Sequence, residues 1–296
     1  MTEFRPGRFQ VLPPVVKNII IINVLMVLAQ FALGRVGIDL ADYLGLHYWK
    51  SHYFKPWQLL THLFMHGSYN DLNGTALHIF SNMFALWMFG SILENIWGGK
   101  RFLIFYLICG LGAAFCHLMV LHYEYSTIES AFRAYQQNPT IDQFIKFIHE
   151  NVTGLRVQNP DYVNGLLARW QQDPGNLSYR NDSIGWIYEY LHGVKNFQTG
   201  AYIPGIYDEA TVGASGAVFG VLFAFGYLFP NTLLYLYFFV PVKAKYFVAV
   251  YALFELYSGI QNSAGDNVAH FAHIGGMLFA FIILKIWGRS QRNHFY

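Results

Sequence analysis

The sequence predicts an all-α membrane protein, a bundle of six transmembrane helices with a small helical extramembrane insert between the third and fourth helices. Three observations carry this expectation. Hydrophobic residues make up 54% of the chain and charged residues only 12%, about half the charged share of a soluble globular domain. Apolar runs recur that approach the ~20 residues needed to cross a ~30 Å hydrocarbon core. Lys and Arg gather in the short connections, and with six spans those connections all fall on one side. The formal net charge of +2 leaves no electrostatic footprint for nucleic acid, so the lipid bilayer is the expected partner.

The first span covers about Asn18 to Leu33. A polar stretch ending in Lys17 precedes it, and the run is long enough to span, so it reads as an anchor rather than a cleavable signal. Gly37 to Ala76, rich in aromatics and histidine, suits a loop lying partly in the interface. The second span is about Leu77 to Leu93 and the third about Phe102 to Leu121. Cys109 and Cys116 fall inside that third apolar run and read as small buried hydrophobes rather than a disulfide or metal site.

From His122 to Tyr207 the chain turns polar and shows helical periodicity of its own. Thr140 with Gln143 forms a capping box before Ile141, Phe144, Ile145, Ile148 and Val152, an amphipathic stripe. Val163, Leu166, Leu167 and Trp170 repeat the pattern, as do Ile184, Ile187 and Leu191. The expected division is therefore 1–121 (first three helices), 122–207 (extracytoplasmic helical insert) and 208–296 (last three helices).

The fourth span is about Ala214 to Phe229, broken by Pro230 and Asn231. Leu233 to Val240 then reads as an interfacial aromatic stretch closed by Pro241. The fifth, about Tyr246 to Tyr257, is the shortest, and the sixth is about Val268 to Trp287. Arg5, Arg8 and Lys17, then Lys100 and Arg101, Lys243 and Lys245, and Lys285, Arg289 and Arg292 all lie on one side of six spans. Both termini are therefore expected in the cytoplasm, with the bacterial inner membrane as the expected location. Arg35, Lys50 and Lys55 lie on the opposite side.

Polar residues inside a membrane are expensive and default to functional hypotheses. Gly213-Ala214-Ser215-Gly216 opens the fourth helix and sets a serine at a helix N-terminus, where free N–H groups favour a developing anion. His270 and His273 sit near the outer end of the sixth helix, at the depth of Ser215. His78 and Asn82, spaced i, i+4, share one face of the second helix. Gly216, Gly220 and Ala224 form one small-residue ridge and Ala272, Gly276 and Ala280 another, which permits two helices to pack closely in lipid. A Ser–His hydrogen bond then becomes geometrically possible.

Gly213-Ala214-Ser215-Gly216-Ala217-Val218-Phe219-Gly220, Ala272-His273-Ile274-Gly275-Gly276 and His78-Ile79-Phe80-Ser81-Asn82 resemble the three signature motifs of rhomboid proteases. The resemblance covers about Trp57 to Trp287 apart from the insert. It implies a six-helix rhomboid bundle that cleaves transmembrane protein substrates with a Ser215 nucleophile and a His273 base, without a cofactor, a metal or an obligatory carboxylate. It also implies an oxyanion hole made by the Ser215 backbone N–H with His78 and Asn82, an aromatic support for the imidazole at Phe219, and a structural role for Glu94. The family usually carries Trp-Arg where this chain has Trp57-Gln58. The fifth helix and the Gln261 to Asn267 loop resemble the family's lateral gate.

His273 is preferred to His270 as base because its spacing to Gly276 fits the motif. Asp266 as a third triad member is set below a solvated loop aspartate. His62 and His66, with His78, would be the ligands of a metal-dependent hydrolase, but no acidic general-base motif accompanies them. The sequons at Asn151, Asn176 and Asn181 read as chance matches. The alternative function is a non-catalytic rhomboid-like protein that binds membrane helices.

Overall fold

The computed structural model describes residues 9–152, 160–196, 199–236, 239–261 and 269–292, which are predominantly helical. In chain order the helices are α1 (Pro14–Gly34), α2 (Leu40–Leu44), α3 (Gln58–Thr61), α4 (Leu72–Ala85), α5 (Ser91–Trp97) and α6 (Gly99–Gln137). Then come α7 (Ile141–Asn151), α8 (Pro160–Gln172), α9 (Leu177–His192), α10 (Ser215–Leu228), α11 (Ala244–Gln261) and α12 (His270–Arg292). A π-helical segment, Leu86–Gly90, joins α4 and α5 into one rod. Two antiparallel ribbons complete the described chain: β1 (Val194–Lys195) with β2 (Tyr202–Ile203), and β3 (Leu233–Leu236) with β4 (Val240–Lys243).

Among the described residues, four helices are long and apolar enough to cross a membrane: Pro14–Gly34, Leu72–Trp97, Gly99–Gln137 and His270–Gly288. The apolar α10 has only 14 residues, about 21 Å of helix against a core of ~30 Å. Nine of those residues are buried, so α10 is enclosed mainly by neighbouring helices. It packs between α6 and α12, and small residues make that possible. A Cβ on Gly220 would lie 2.7 Å from Cβ of Cys109, and one on Gly275 would lie 2.6 Å from Cβ of Cys116. The two cysteines are unpaired and act as small packing groups.

Three elements differ from the sequence reading. The third helix does not stop near Leu121. It runs unbroken through 39 residues to Gln137, about 58 Å, because its apolar face continues through Tyr125, Phe132 and Tyr135. Leu233 to Val240, read as interfacial, contributes to the β3–β4 ribbon. Pro241 is tolerated there because a two-stranded ribbon always has an outer edge. On α7 the stripe is rotated. Phe144 and Phe147 are buried while Ile145 is exposed, since the two phenyl rings pack on Tyr135.

The 122–207 segment has its own aromatic core. Tyr125, Phe132, Tyr135, Phe144, Trp170, Trp186 and Tyr190 cluster there with Tyr48 from the first loop. Polar contacts tie that loop to the stretch preceding α10. Leu46 and Thr211 exchange two backbone hydrogen bonds of 2.8 Å, Ser51 donates to Asp208 at 2.6 Å, and Lys50 and Tyr207 both donate to Glu129. Burial alone would raise the Glu129 carboxyl. Hydrogen bonds from Lys50 and Tyr207, with the charges of Lys50 and Arg133, outweigh that and hold it below its usual value.

Buried polar side chains also stitch the bundle. Glu94 accepts from the backbone N–H groups of Val15 at 2.9 Å and Val16 at 2.8 Å, supplying an anion to the otherwise unpaired first turn of α1. Buried Gln58 donates to the Tyr53 carbonyl at 2.9 Å and accepts from the Lys55 N–H at 3.1 Å. A neutral amide thus organises this loop. Exposed Trp57 adds a bond to the Tyr43 carbonyl at 3.0 Å.

Replacing Glu94 with Gln should destabilise the bundle by about 1–3 kcal/mol, read as a lower melting temperature in detergent. The Glu129 contribution is complete at neutral pH and disappears as pH falls through its lowered folded-state value. Acid should therefore loosen the contact between the first loop and the 122–207 segment. Hydrogen-exchange protection at Tyr48 to Ser51, taken relative to the intrinsic rate at each pH, should fall on acidification in the wild type and already be lower at neutral pH in Glu129→Gln.

Candidate active site

Ser215 is the first residue of α10, with Ala214 as its N-cap. Gly213 precedes them at φ +134°, a backbone conformation suited to glycine. Its N–H donates to the His62 carbonyl at 3.0 Å. A side chain at 213 would collide with the site, because a Cβ there would lie 3.0 Å from Nε2 of His78 and 3.4 Å from Oγ of Ser215.

The imidazole of His273 reaches across from α12. Its Nε2 lies 2.8 Å from Oγ of Ser215. Phe219, one turn below the serine, stacks on the same ring at 4.1 Å between centroids and 8° between planes. The approach is set by Gly276, where a Cβ would lie 1.9 Å from the Gly216 carbonyl oxygen. Only glycine at 276 allows this approach, one helical turn from His273, whereas a Cβ on Gly216 would meet Cβ of Ala113 on α6 at 2.4 Å.

His78 and Asn82 occupy the same face of α4, as their spacing predicts. Asn82 is buried, and its Nδ2 donates to the His78 carbonyl at 2.9 Å. His66 is also buried, packs edge-on to His78 at 5.0 Å, and neither of its ring nitrogens is paired among the described residues. His62 Nδ1 pairs with the Gln58 carbonyl at 2.8 Å. His62, His66 and His78 do not form a three-ligand cluster; among the described residues the group that does is Glu255, His270 and His273.

Glu255 is the residue that the sequence reading passed over. It lies on α11 and is buried, and its Oε2 sits 2.7 Å from Nδ1 of His273 and 2.7 Å from Nδ1 of His270. The signal was present: a lone carboxylate in an apolar span is itself a functional hypothesis. Asp266, the acid weighed from sequence, lies outside the described residues.

This geometry can be set beside known proteins. A family model described as the Rhomboid domain matches residues 53–131 and 184–290. The chain belongs to the rhomboid family. It is also similar to an uncharacterized mitochondrial rhomboid protein of Schizosaccharomyces pombe, 31% identical over 100 residues. That alignment covers 32% of this chain and 26% of the yeast protein, so it spans about a quarter of the relative. Between the two matched segments of this rhomboid, 132–183 contains the end of α6, α7, α8 and the start of α9.

Because the Gly216–Gly276 contact has no slack, Gly276→Ala should separate α10 from α12. Expected is a loss of about 3 kcal/mol, as for severe overpacking, against little change in Gly288→Ala, where a Cβ meets nothing within 4 Å. Thermal unfolding of the two variants side by side checks this.

Proposed function

We propose that this rhomboid is an intramembrane serine endopeptidase that cleaves transmembrane protein substrates near the outer membrane face with Ser215 as nucleophile and His273 as general base. The observation that carries the reading is the 2.8 Å contact between Ser215 Oγ and His273 Nε2. A serine hydroxyl is a weak nucleophile until a base takes its proton during attack. In the proposed cycle Oγ bonds to the carbonyl carbon of the scissile peptide while its proton passes to Nε2. The C–N bond then breaks, and the departing amine takes that proton. Water attacks the resulting ester by the same route and restores Ser215.

The tetrahedral intermediate carries an oxyanion. The Ser215 N–H, in the first turn of α10 where helix N–H groups lack intrahelical partners, would receive it together with His78 and Asn82. An asparagine amide carries two hydrogens, and the one given to the His78 carbonyl leaves the other for substrate. Gly213, Ala214, Gly216 and Gly276 shape the backbone around the serine, and Phe219 holds the imidazole plane. No cofactor is required for these steps.

The short α10 supports a site beneath the membrane surface, since about 21 Å of helix ends well inside a ~30 Å core. Half-buried Ser215 would meet water through a cavity opening outward. Counting α10 and the 18-residue α11 with the four longer helices gives six spans. In that topology both termini lie in the cytoplasm and the 122–207 segment lies outside, and the bacterial inner membrane is the location carried from the sequence.

The test is cleavage of a single-span substrate in reconstituted vesicles, alongside labelling by a fluorophosphonate. Ser215→Ala should lose cleavage and labelling while melting normally, His273→Ala should lose both while remaining folded, and Asn82→Ala should fall by about 10²- to 10³-fold. Full turnover by Ser215→Ala would refute the mechanism. A folded wild type that neither cleaves nor labels would point to the helix-binding rhomboid.

A further inference from the structure

We infer that Glu255 is a positioning residue for this site, its carboxylate accepting the Nδ1 hydrogen bond of His273 and extending the Ser–His pair into a Ser–His–Glu triad. The inference rests on the protease reading. It departs from the expectation that no carboxylate takes part.

The argument begins with cost. A carboxylate buried in an apolar bundle carries a desolvation penalty of several kcal/mol unless its lone pairs are satisfied. For Glu255, at 4% exposure, the partners among the described residues are the Nδ1 atoms of His273 and His270, both 2.7 Å from the same oxygen. An ionised carboxylate can only accept hydrogen bonds, so both Nδ1 atoms must carry hydrogen. For His273 that fixes the tautomer. Nδ1 is protonated, and the lone pair on Nε2 points at Ser215 Oγ, 2.8 Å away.

Three contacts then constrain one ring. Phe219 sets its plane, Ser215 sets the direction of Nε2, and Glu255 sets which nitrogen is basic. His270 lies one turn before His273 on α12 and engages the same oxygen. It limits the rotation of a side chain that is otherwise flexible. When Nε2 takes the serine proton the ring becomes imidazolium, and the adjacent carboxylate stabilises that charge where water is scarce. The Nδ1 proton remains on His273 throughout, so no proton is gained or lost by Glu255.

The same atoms, all within 4.8 Å of one another, also make a two-histidine, one-carboxylate metal set. Their spacing favours protons. Zinc bonds of about 2.0–2.1 Å in a tetrahedral site would hold ligand atoms about 3.3 Å apart, whereas 2.7 Å is a charge-assisted hydrogen-bond length.

The decisive variant is Glu255→Gln in the full-length protein, since the amide oxygen can still accept from both imidazoles and only the charge is lost. Expected are a kcat lower by about 10²- to 10⁴-fold, KM unchanged within about threefold, a melting temperature near wild type, and an upfield move of the Nδ1 proton signal of His273 in the NMR spectrum. His270→Ala, which keeps the carboxylate, should retain kcat within about tenfold. Wild-type kcat in Glu255→Gln would overturn the assignment. So would stoichiometric zinc whose removal abolishes activity. If the wild type itself proves inactive the protease reading fails, yet the NMR shift still tests the Glu255–His273 bond separately.

Discussion

The close approach of α10 and α12 at Gly216 and Gly276 is the constraint on which the site depends. In lipid no hydrophobic force drives helices together, so association rests on packing and on hydrogen bonds between them. Where two backbones meet without side chains, contact distances are set by glycine alone, and a Cβ at 276 would fall 1.9 Å from a carbonyl oxygen. One turn away, this brings an imidazole of one helix to hydrogen-bond distance of a hydroxyl on the other. The same packing encloses α10 so fully that a helix too short to face lipid along its length is accommodated.

Around that contact, buried polar groups act as fasteners. Glu94 serves the N–H groups of α1, Gln30 reaches the Gly67 carbonyl at 3.0 Å, and Gln58 knits the first loop. Such groups are costly in an apolar interior if unpaired; Glu94 and Gln30 reach backbone distant in sequence, and Gln58 binds the backbone of its own loop. Glu255 belongs to this set by energetics but differs in its partners, two imidazoles rather than backbone.

The 122–207 segment is linked to the site through a shared wall. The α6 rod carries the aromatic core outward, Tyr48 of the first loop packs into it, and Leu46 pairs with Thr211 just ahead of Gly213. Glu129 and Asp208 fasten the same two stretches. The backbone leading into Ser215 is thus gripped by the loop on one side and by the segment preceding it on the other.

Composition and local pattern determined much of this protein. Apolar run lengths marked the long spans, the glycine ridges marked which helices approach, and the i, i+4 spacing of His78 and Asn82 marked a shared face, because each of these signals lies within one helix. The extent of α6 was less legible, since its periodicity changes partners from membrane bundle to aromatic cap without any break in the helix. The rotation of α7 and the β3–β4 ribbon depended on neighbours that local pattern does not name. Only the tertiary structure could decide that Glu255 faces His273 and His270. A carboxylate on α11 has no register relation to a ring on α12, so their meeting is set by how two helices lie side by side, which no spacing along the chain encodes.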